Sequence, residues 1–240
     1  MLYHAYNLGD GAQNPQIWEE ELMSVARFSP VNEYKVVVKR QLALTSLEDF
    51  AVLLRDGHFD LGNGFHSTSY MNPHALFDRP SVVLRLAQDL LDVIELVPFF
   101  IKRQTQVVAG PVTGGAQLAF VMAAFLDGVS KKGARVFHAP IHKIDGKLMM
   151  RKHYQELVQG KRVLLADDVR NTGSTFKEAF ELVSACGGEV IATTELYDRL
   201  SVIHELPVPN IPLAEYRLEQ DLVPADQCPQ CKLGIPITRF

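Results

Sequence analysis

"VLLADDVRNTGST" occupies residues 163–175. Four apolar residues run into adjacent carboxylates, Asp167 and Asp168. After Val169 and Arg170 comes a loop of small polar residues, Asn171-Thr172-Gly173-Ser174-Thr175. A short apolar run bounded by a glycine turn reads as a buried strand, and "TFKEAFELVSACGG" behind it reads as a helix stopped by glycines. Loop amides and a helix dipole at such a junction form a phosphate site without any basic side chain. The two aspartates cannot serve that phosphate. Carboxylates accept hydrogen bonds from vicinal hydroxyls or join a magnesium shell, so the stretch asks for a sugar that carries phosphate. The competing reading makes Asp168 a cap and Gly173 a turn. A Walker loop is excluded, because its Gly-Lys-Ser/Thr ending is missing.

Working outward, "VVAGPVTGG" (107–115) is an apolar strand entering a glycine-rich turn, and "AQLAFVMAAFL" is a buried helix. "ARVFHAPI" and "KRVLLADD" are the second and third strands, and "VIATTELYD" is the fourth. Alternating strands and helices imply crossover connections and a parallel sheet. In such sheets ligands sit beyond the carboxyl ends of the strands, which is where the aspartates and the loop fall. Ahead of this core, "TSLEDFAVLL" predicts a helix over about 46–55 with a Thr/Ser cap, and "RDGHFDLGNGFHSTSYM" predicts a hairpin. Leu22, Val25 and Ala26 hint at a short amphipathic helix in an acidic start. Prolines at 207, 209, 212, 224, 229 and 236 predict a mostly irregular tail from about Leu206.

At 240 residues with 22% charged side chains, the composition is that of a globular chain of one α/β domain with appendages. The net charge of −4 gives no global attraction to nucleic acid or to an anionic membrane. Locally, Lys131–Arg162 holds nine Lys or Arg against Asp145 and Glu156. The start lacks a basic segment followed by an apolar one, so a cytoplasmic location is expected. Val107–Leu126 is uncharged and long enough to span a bilayer, but Gly110-Pro111 and Gly114-Gly115 would break a lipid-exposed helix. Three cysteines do not make a disulfide framework.

The 163–175 stretch resembles the phosphoribosyl-pyrophosphate (PRPP) signature of type I phosphoribosyltransferases: apolar strand, two acids, then a T/N-T-G-x-T loop. That resemblance implies an α/β parallel-sheet fold with an N-terminal helix/hairpin hood and an irregular C-terminal tail. It also implies that Asp167 and Asp168 bind the ribose 2- and 3-hydroxyls and that Asn171, Thr172, Gly173, Ser174 and Thr175 hold the 5-phosphate. "GPVTGG" (110–115), with Thr113, Gly114 and Gly115, sits where the family keeps its pyrophosphate loop. Residues 57–72, "GHFDLGNGFHSTSYMN", are similar to the orotate phosphoribosyltransferase pattern, so Asn63, Gly64, His66 and Ser67 are expected at the base. Asn63 stands where that branch usually has serine.

"LYDR" (196–199) looks like that branch's Asp-Arg pair. Arg199 would meet the orotate carboxylate with its planar fork, the alternative being a surface ion pair with Asp198 or Glu195. "LMMRKHYQELVQGK" resembles the mobile catalytic loop, with Arg151 and Lys152 as pyrophosphate and transition-state contacts, although the common R-K-E-x-K-x-H-G version is absent. The implied reaction is magnesium-dependent transfer of the 5-phosphoribosyl group from PRPP to orotate, in a homodimer, with Asp168 a possible metal contact and no nucleic-acid or membrane partner. Rival readings are a transferase for another base and a non-catalytic PRPP-sensing regulator.

"CPQCKLGIPI" is similar to a C-terminal segment of some microbial members. Cys228 and Cys231 supply half a zinc site, and Cys186 lies inside a predicted helix. Zinc is therefore not expected; a structural knuckle, or a disulfide under oxidation, is. The division read from the sequence is 1–45 as an extension, 46–205 as the transferase domain with a base-binding hood over 46–100, and 206–240 as the tail.

Overall fold

The computed structural model describes residues 30–61, 64–97, 100–129, 135–200, 204–216 and 223–239. The amphipathic hint at 22–26 and the base-contact candidate Asn63 lie outside them. A helix spans Pro30–Asp49. It starts earlier than the predicted 46–55 element, and Ser46 does not cap it. Ser46 Oγ donates back to the Leu42 carbonyl at 2.9 Å, and Thr45 Oγ1 to Gln41 O at 3.0 Å, the bonding available to hydroxyls inside a helix. Ala43 and Leu47, four residues apart, are buried. They face the helix Pro80–Leu96, whose Leu86, Leu90, Leu91 and Ile94 recur at helical spacing and are buried. Lys39 bridges the two helices, pairing with Asp89 and, at 3.0 Å, with Asp92.

Between these helices lie four short strands: β1 (Leu53–Leu54), β2 (Phe59–Asp60), β3 (Phe65–Ser67) and β4 (Tyr70–Met71). β1 pairs with β4, and β2 with β3 as the predicted hairpin. The core sheet follows: β5 (Val107–Pro111), β6 (Phe137–Ile144), β7 (Lys147–Met149), β8 (Arg162–Arg170), β9 (Glu189–Asp198) and β10 (Asn210–Glu215). Its order is β10-β9-β8-β5-β6-β7, parallel except for the edge hairpin β6–β7. That hairpin turns through Asp145 and Gly146, both at positive φ, the Asp-Gly chemistry of a tight β-turn.

Helices Gly114–Val129 and Ser174–Ala185 follow β5 and β8. Side chains alternate across the sheet with period two. Val108, Leu164 and Ala166 join the core beneath Pro80–Leu96, whereas Val107, Val163 and Leu165 join Phe176, Ala179 and Val183 on the other face. Each fully buried aliphatic side chain of this kind contributes about 1.5–3 kcal/mol.

The tail predicted to be irregular contains β10, with Ile211, Leu213 and Ala214 buried. Pro212 is tolerated because, among the described residues, β10 bonds only to β9, leaving an edge where no amide is required. Further on, β11 (Val223–Pro224) pairs with β3, a short helix covers Pro229–Lys232, and Phe59 bridges Thr238. The hood is thus built from residues 53–71 and 223–239 together.

Candidate active site

From β5 the chain passes to β6 on one side, and later to β8 on the other, so the sheet changes winding direction between β5 and β8. Loops leaving the carboxyl ends of two such strands diverge and open a crevice. The β5 loop carries Thr113, Gly114 and Gly115; the β8 loop carries Asn171–Thr175. Both sequence motifs therefore meet at one edge.

Their contact accounts for the glycines. A Cβ on Gly114 would fall on Asp168 Oδ2, and one on Gly115 would lie 2.7 Å from Asp167 Oδ1 and 2.9 Å from Ala166 O. Only residues without side chains let this backbone lie against the two carboxylates. Gly173 has φ 83°, and a Cβ there would stand 2.7 Å from His204 O. The loop is held from outside, since His204 N–H donates to Thr172 O at 3.0 Å. Within it, Thr172 Oγ1 donates to Ser174 Oγ at 3.2 Å, and Ser174 opens the following helix.

Asp167 keeps the sheet-face parity of Val163 and Leu165, while Asp168 keeps that of Leu164 and Ala166, the face that carries Pro80–Leu96. The strand does not stop at the aspartates; it continues to Arg170, and its backbone ties them in place. Asp168 N–H donates to Asp167 Oδ1 at 2.9 Å, and Val169 N–H to Asp168 Oδ1 at 2.7 Å. Burial pushes the Asp167 carboxyl well above the usual carboxylate range, and the neighbouring charge of Asp168 pushes the same way. Asp168 is raised too, chiefly by burial, while the Val169 amide and His74 oppose the rise. Two adjacent carboxylates under such strain are relieved by hydroxyl donors or a cation.

The hood reaches this dyad through Tyr70. Burial raises its phenol, Asp168 raises it further, and Arg199 pulls it back, so all three share one neighbourhood. Arg199 is only 3% exposed and donates from Nη1 to Asn171 Oδ1 at 3.3 Å. Asp198, one of the two alternative partners read from the sequence, pairs with Arg170 at 3.3 Å. Arg199 therefore abuts the phosphate loop rather than solvent. Ser67 is buried, and its Oγ accepts the Ser69 amide at 3.1 Å.

His66 departs from the expected base site. Its Nδ1 lies 3.2 Å from His58 Nε2 and 3.3 Å from Cys231 Sγ. β3 sends alternate residues to opposite sides, and His66 takes the side facing the tail. Arg151 and Lys152 are exposed at the start of a short helix, Lys152–Val158, and Lys152 forms an ion pair with Glu156 at 3.8 Å.

Tyr70, His74 and Glu195 were not singled out from the sequence as site residues. Tyr70 and His74 sit in or just behind the quoted 57–72 segment and were findable there. Glu195 stands opposite Asp167 across β8–β9, as a lone glutamate inside a predicted strand that offers no local signal.

A match to the phosphoribosyl transferase domain covers residues 82–205. An orotate phosphoribosyltransferase of Carboxydothermus hydrogenoformans is 30% identical over 78% of this chain and 90% of its own length. Among solved structures, orotate phosphoribosyltransferase from Aeropyrum pernix superposes with TM-score 0.53 at 23% identity, over 72% of this chain and 93% of its own. Adenine phosphoribosyltransferase from Thermoanaerobacter pseudethanolicus gives 0.52 at 18% identity, over 71% and 99%. The fold alone therefore does not choose a base. With the signature residues gathered at the sheet's winding reversal and the domain matched across 82–205, the chain belongs to the phosphoribosyltransferase family.

Proposed function

We propose that this chain transfers the 5-phosphoribosyl group from PRPP to orotate, giving orotidine 5-phosphate and pyrophosphate. The observation that carries the reading is the packing of Gly114 and Gly115 against Asp167 and Asp168, with Tyr70 and Arg199 alongside. In the reaction the bond from the anomeric carbon to the pyrophosphate oxygen breaks, and the oxygen keeps the electron pair. A ring nitrogen of orotate donates the pair that forms the new bond, and its proton passes to solvent. Positive charge develops on the ribose and negative charge on the departing group, so preorganised dipoles at both ends lower the barrier.

Asp167 and Asp168 hold the ribose hydroxyls and fix the sugar. The amides of 171–175 hold the 5-phosphate, and those of 113–115 approach the pyrophosphate. Arg199 meets the orotate carboxylate, with Gly64, Ser67 and Asn63 contributed by the hood. Positioning of the nitrogen in line with the anomeric carbon supplies much of the remaining acceleration. The oxygen-only donor set at the dyad suits Mg²⁺, which when bound neutralises charge on the pyrophosphate.

Arg151 and Lys152 are the contacts for the leaving group. Their exposure fits a homodimer in which this segment serves the neighbouring subunit's site. Among the described residues no helix is long and apolar enough to cross a membrane, in keeping with action in the cytoplasm. The test is pyrophosphate release with orotate, uracil, adenine and hypoxanthine in turn. Orotate is expected to give the highest kcat/KM; a higher value with any other base would replace the acceptor assignment, and no release with any base would favour a PRPP-sensing regulator.

A further inference from the structure

The two cysteines that looked like half a site in the sequence meet two buried histidines in the fold. His58 Nε2 lies 3.4 Å from Cys228 Sγ, 3.6 Å from Cys231 Sγ and 3.2 Å from His66 Nδ1. Cys231 Sγ lies 3.3 Å from His66 Nδ1, and all four ligand atoms fall within 4.8 Å of one another. A tetrahedral zinc with ordinary Zn–N and Zn–S bonds has edges of about 3.3 Å for N–N, 3.6 Å for N–S and 3.8 Å for S–S. The four N–N and N–S separations above are those edges to within a few tenths of an ångström. The hydrogen-bond inventory leads the same way. His58 Nδ1 lies 2.9 Å from Ile235 O; a carbonyl only accepts, so Nδ1 donates to it and Nε2 is the ring atom turned toward both thiols. One lone pair accepts one S–H, whereas a metal ion accepts lone pairs from all four atoms at once. A second-sphere carbonyl on the remote ring nitrogen is the usual support of a metal-bound histidine.

We propose that His58, His66, Cys228 and Cys231 form a structural Zn²⁺ site that staples the hood hairpin to the 223–239 segment. Four protein ligands leave no open position, which separates a structural zinc from a catalytic one. The two thiolates balance the ion's charge, so its burial leaves no net charge behind. The surroundings are already drawn together by backbone bonds: Ala225 N–H to Gly64 O at 3.0 Å and Thr238 N–H to His58 O at 2.7 Å. The sequence expectation against zinc counted only thiols, whereas the fold adds His58 and His66 to the set.

The proposal is independent of the transferase reading and is tested without turnover. Untagged full-length protein from zinc-supplemented medium should contain about one zinc per chain by elemental analysis. Cys231→Ser, at an exposed position whose substitution spares the buried packing, should bring the content near zero. In the wild-type protein, Co²⁺ exchanged for zinc should give the intense visible bands of tetrahedral cobalt with a thiolate charge-transfer band, and both should vanish in Cys231→Ser. With zinc present, Cys186 should be the one readily alkylated thiol, and a zinc chelator should release the other two. A reduced wild-type chain with no zinc and no cobalt bands would overturn the site. So would bands unchanged by Cys231→Ser, or isolation only as a Cys228–Cys231 disulfide that takes up no metal after reduction.

Discussion

Glu195→Gln removes a proton that the folded chain holds and the unfolded chain releases. Glu195 is fully buried in β9. Its carboxyl is shifted from 4.5 to about 8, mainly by burial; the Asn210 amide and Arg170 lower it, while Asp198 and Glu215 raise it. Asn210 Nδ2 donates to Oε1 at 2.8 Å, while Oε2 has no hydrogen-bond partner among the described residues. Between pH 4.5 and 8 the folded state keeps one proton that the unfolded state has lost, so stability falls as pH rises through that window and levels off above it. A gap of about 3.5 pH units at about 1.4 kcal/mol each gives about 5 kcal/mol across the window, most of it lost by pH 7. Glutamine keeps the shape and the Asn210 bond without titrating. Urea unfolding of both proteins from pH 4.5 to 9 is the assay, and the wild-type minus variant difference cancels the titrating groups that do not interact with Glu195. That difference should decline by about 5 kcal/mol and flatten near pH 8. Parallel curves across the whole range would refute the reasoning.

Asp167→Asn and Asp168→Asn should each lower kcat by about 10²-fold or more, because an amide matches the shape but not the charge facing the ribose; thermal melts at or above the wild-type value should accompany the loss, since each carboxyl is raised by burial, and near-normal turnover would remove the dyad's role. Gly114→Ala should impair PRPP use more than folding, since its methyl displaces the Asp168 carboxylate, and an unchanged kcat/KM for PRPP would show that the loop yields. Arg199→Ala should shrink the orotate-over-uracil preference, which for a site built around such pairing reaches about 10⁴-fold, by damaging the orotate reaction and leaving uracil little changed. Confirmed heterodimers of an Asp168→Asn subunit with an Arg151→Ala subunit should regain activity above either parent; no gain would place Arg151 in its own subunit's site.

The strands that carry the dyad and its two loops were legible because apolar runs of strand length ended in glycine turns, and no tertiary partner was needed to see them. Other elements needed context. Ser46 looked like a cap by residue type, but the preceding residues continue the helix and its hydroxyl bonds backward. β10 was hidden by Pro209 and Pro212, which disqualify a central strand and are harmless at the edge this chain gives them. Asp145-Gly146 carries the chemistry of the turn into β7, but Leu148 and Met149 fall in the stretch that resembles the mobile loop. Arg199 could be assigned to the site on the Asp-Arg pair, yet its burial beside Asn171 depended on β8 and β9 running parallel. The histidine–cysteine cluster was out of reach, because Cys228 lies 170 positions from His58 and local spacing cannot report such a meeting.

The hood's dual origin also has a consequence for synthesis. His58 is translated 177 positions before the Ile235 carbonyl that fixes its ring. At about 5–20 residues per second the hairpin waits roughly 10–35 s for its covering segment. Elements through β9, with both ligand loops, can assemble during that interval, whereas β3 has only β2 beside it. The dyad strand therefore precedes the closed hood, and a released chain truncated after residue 216 would present the crevice without its finished cover.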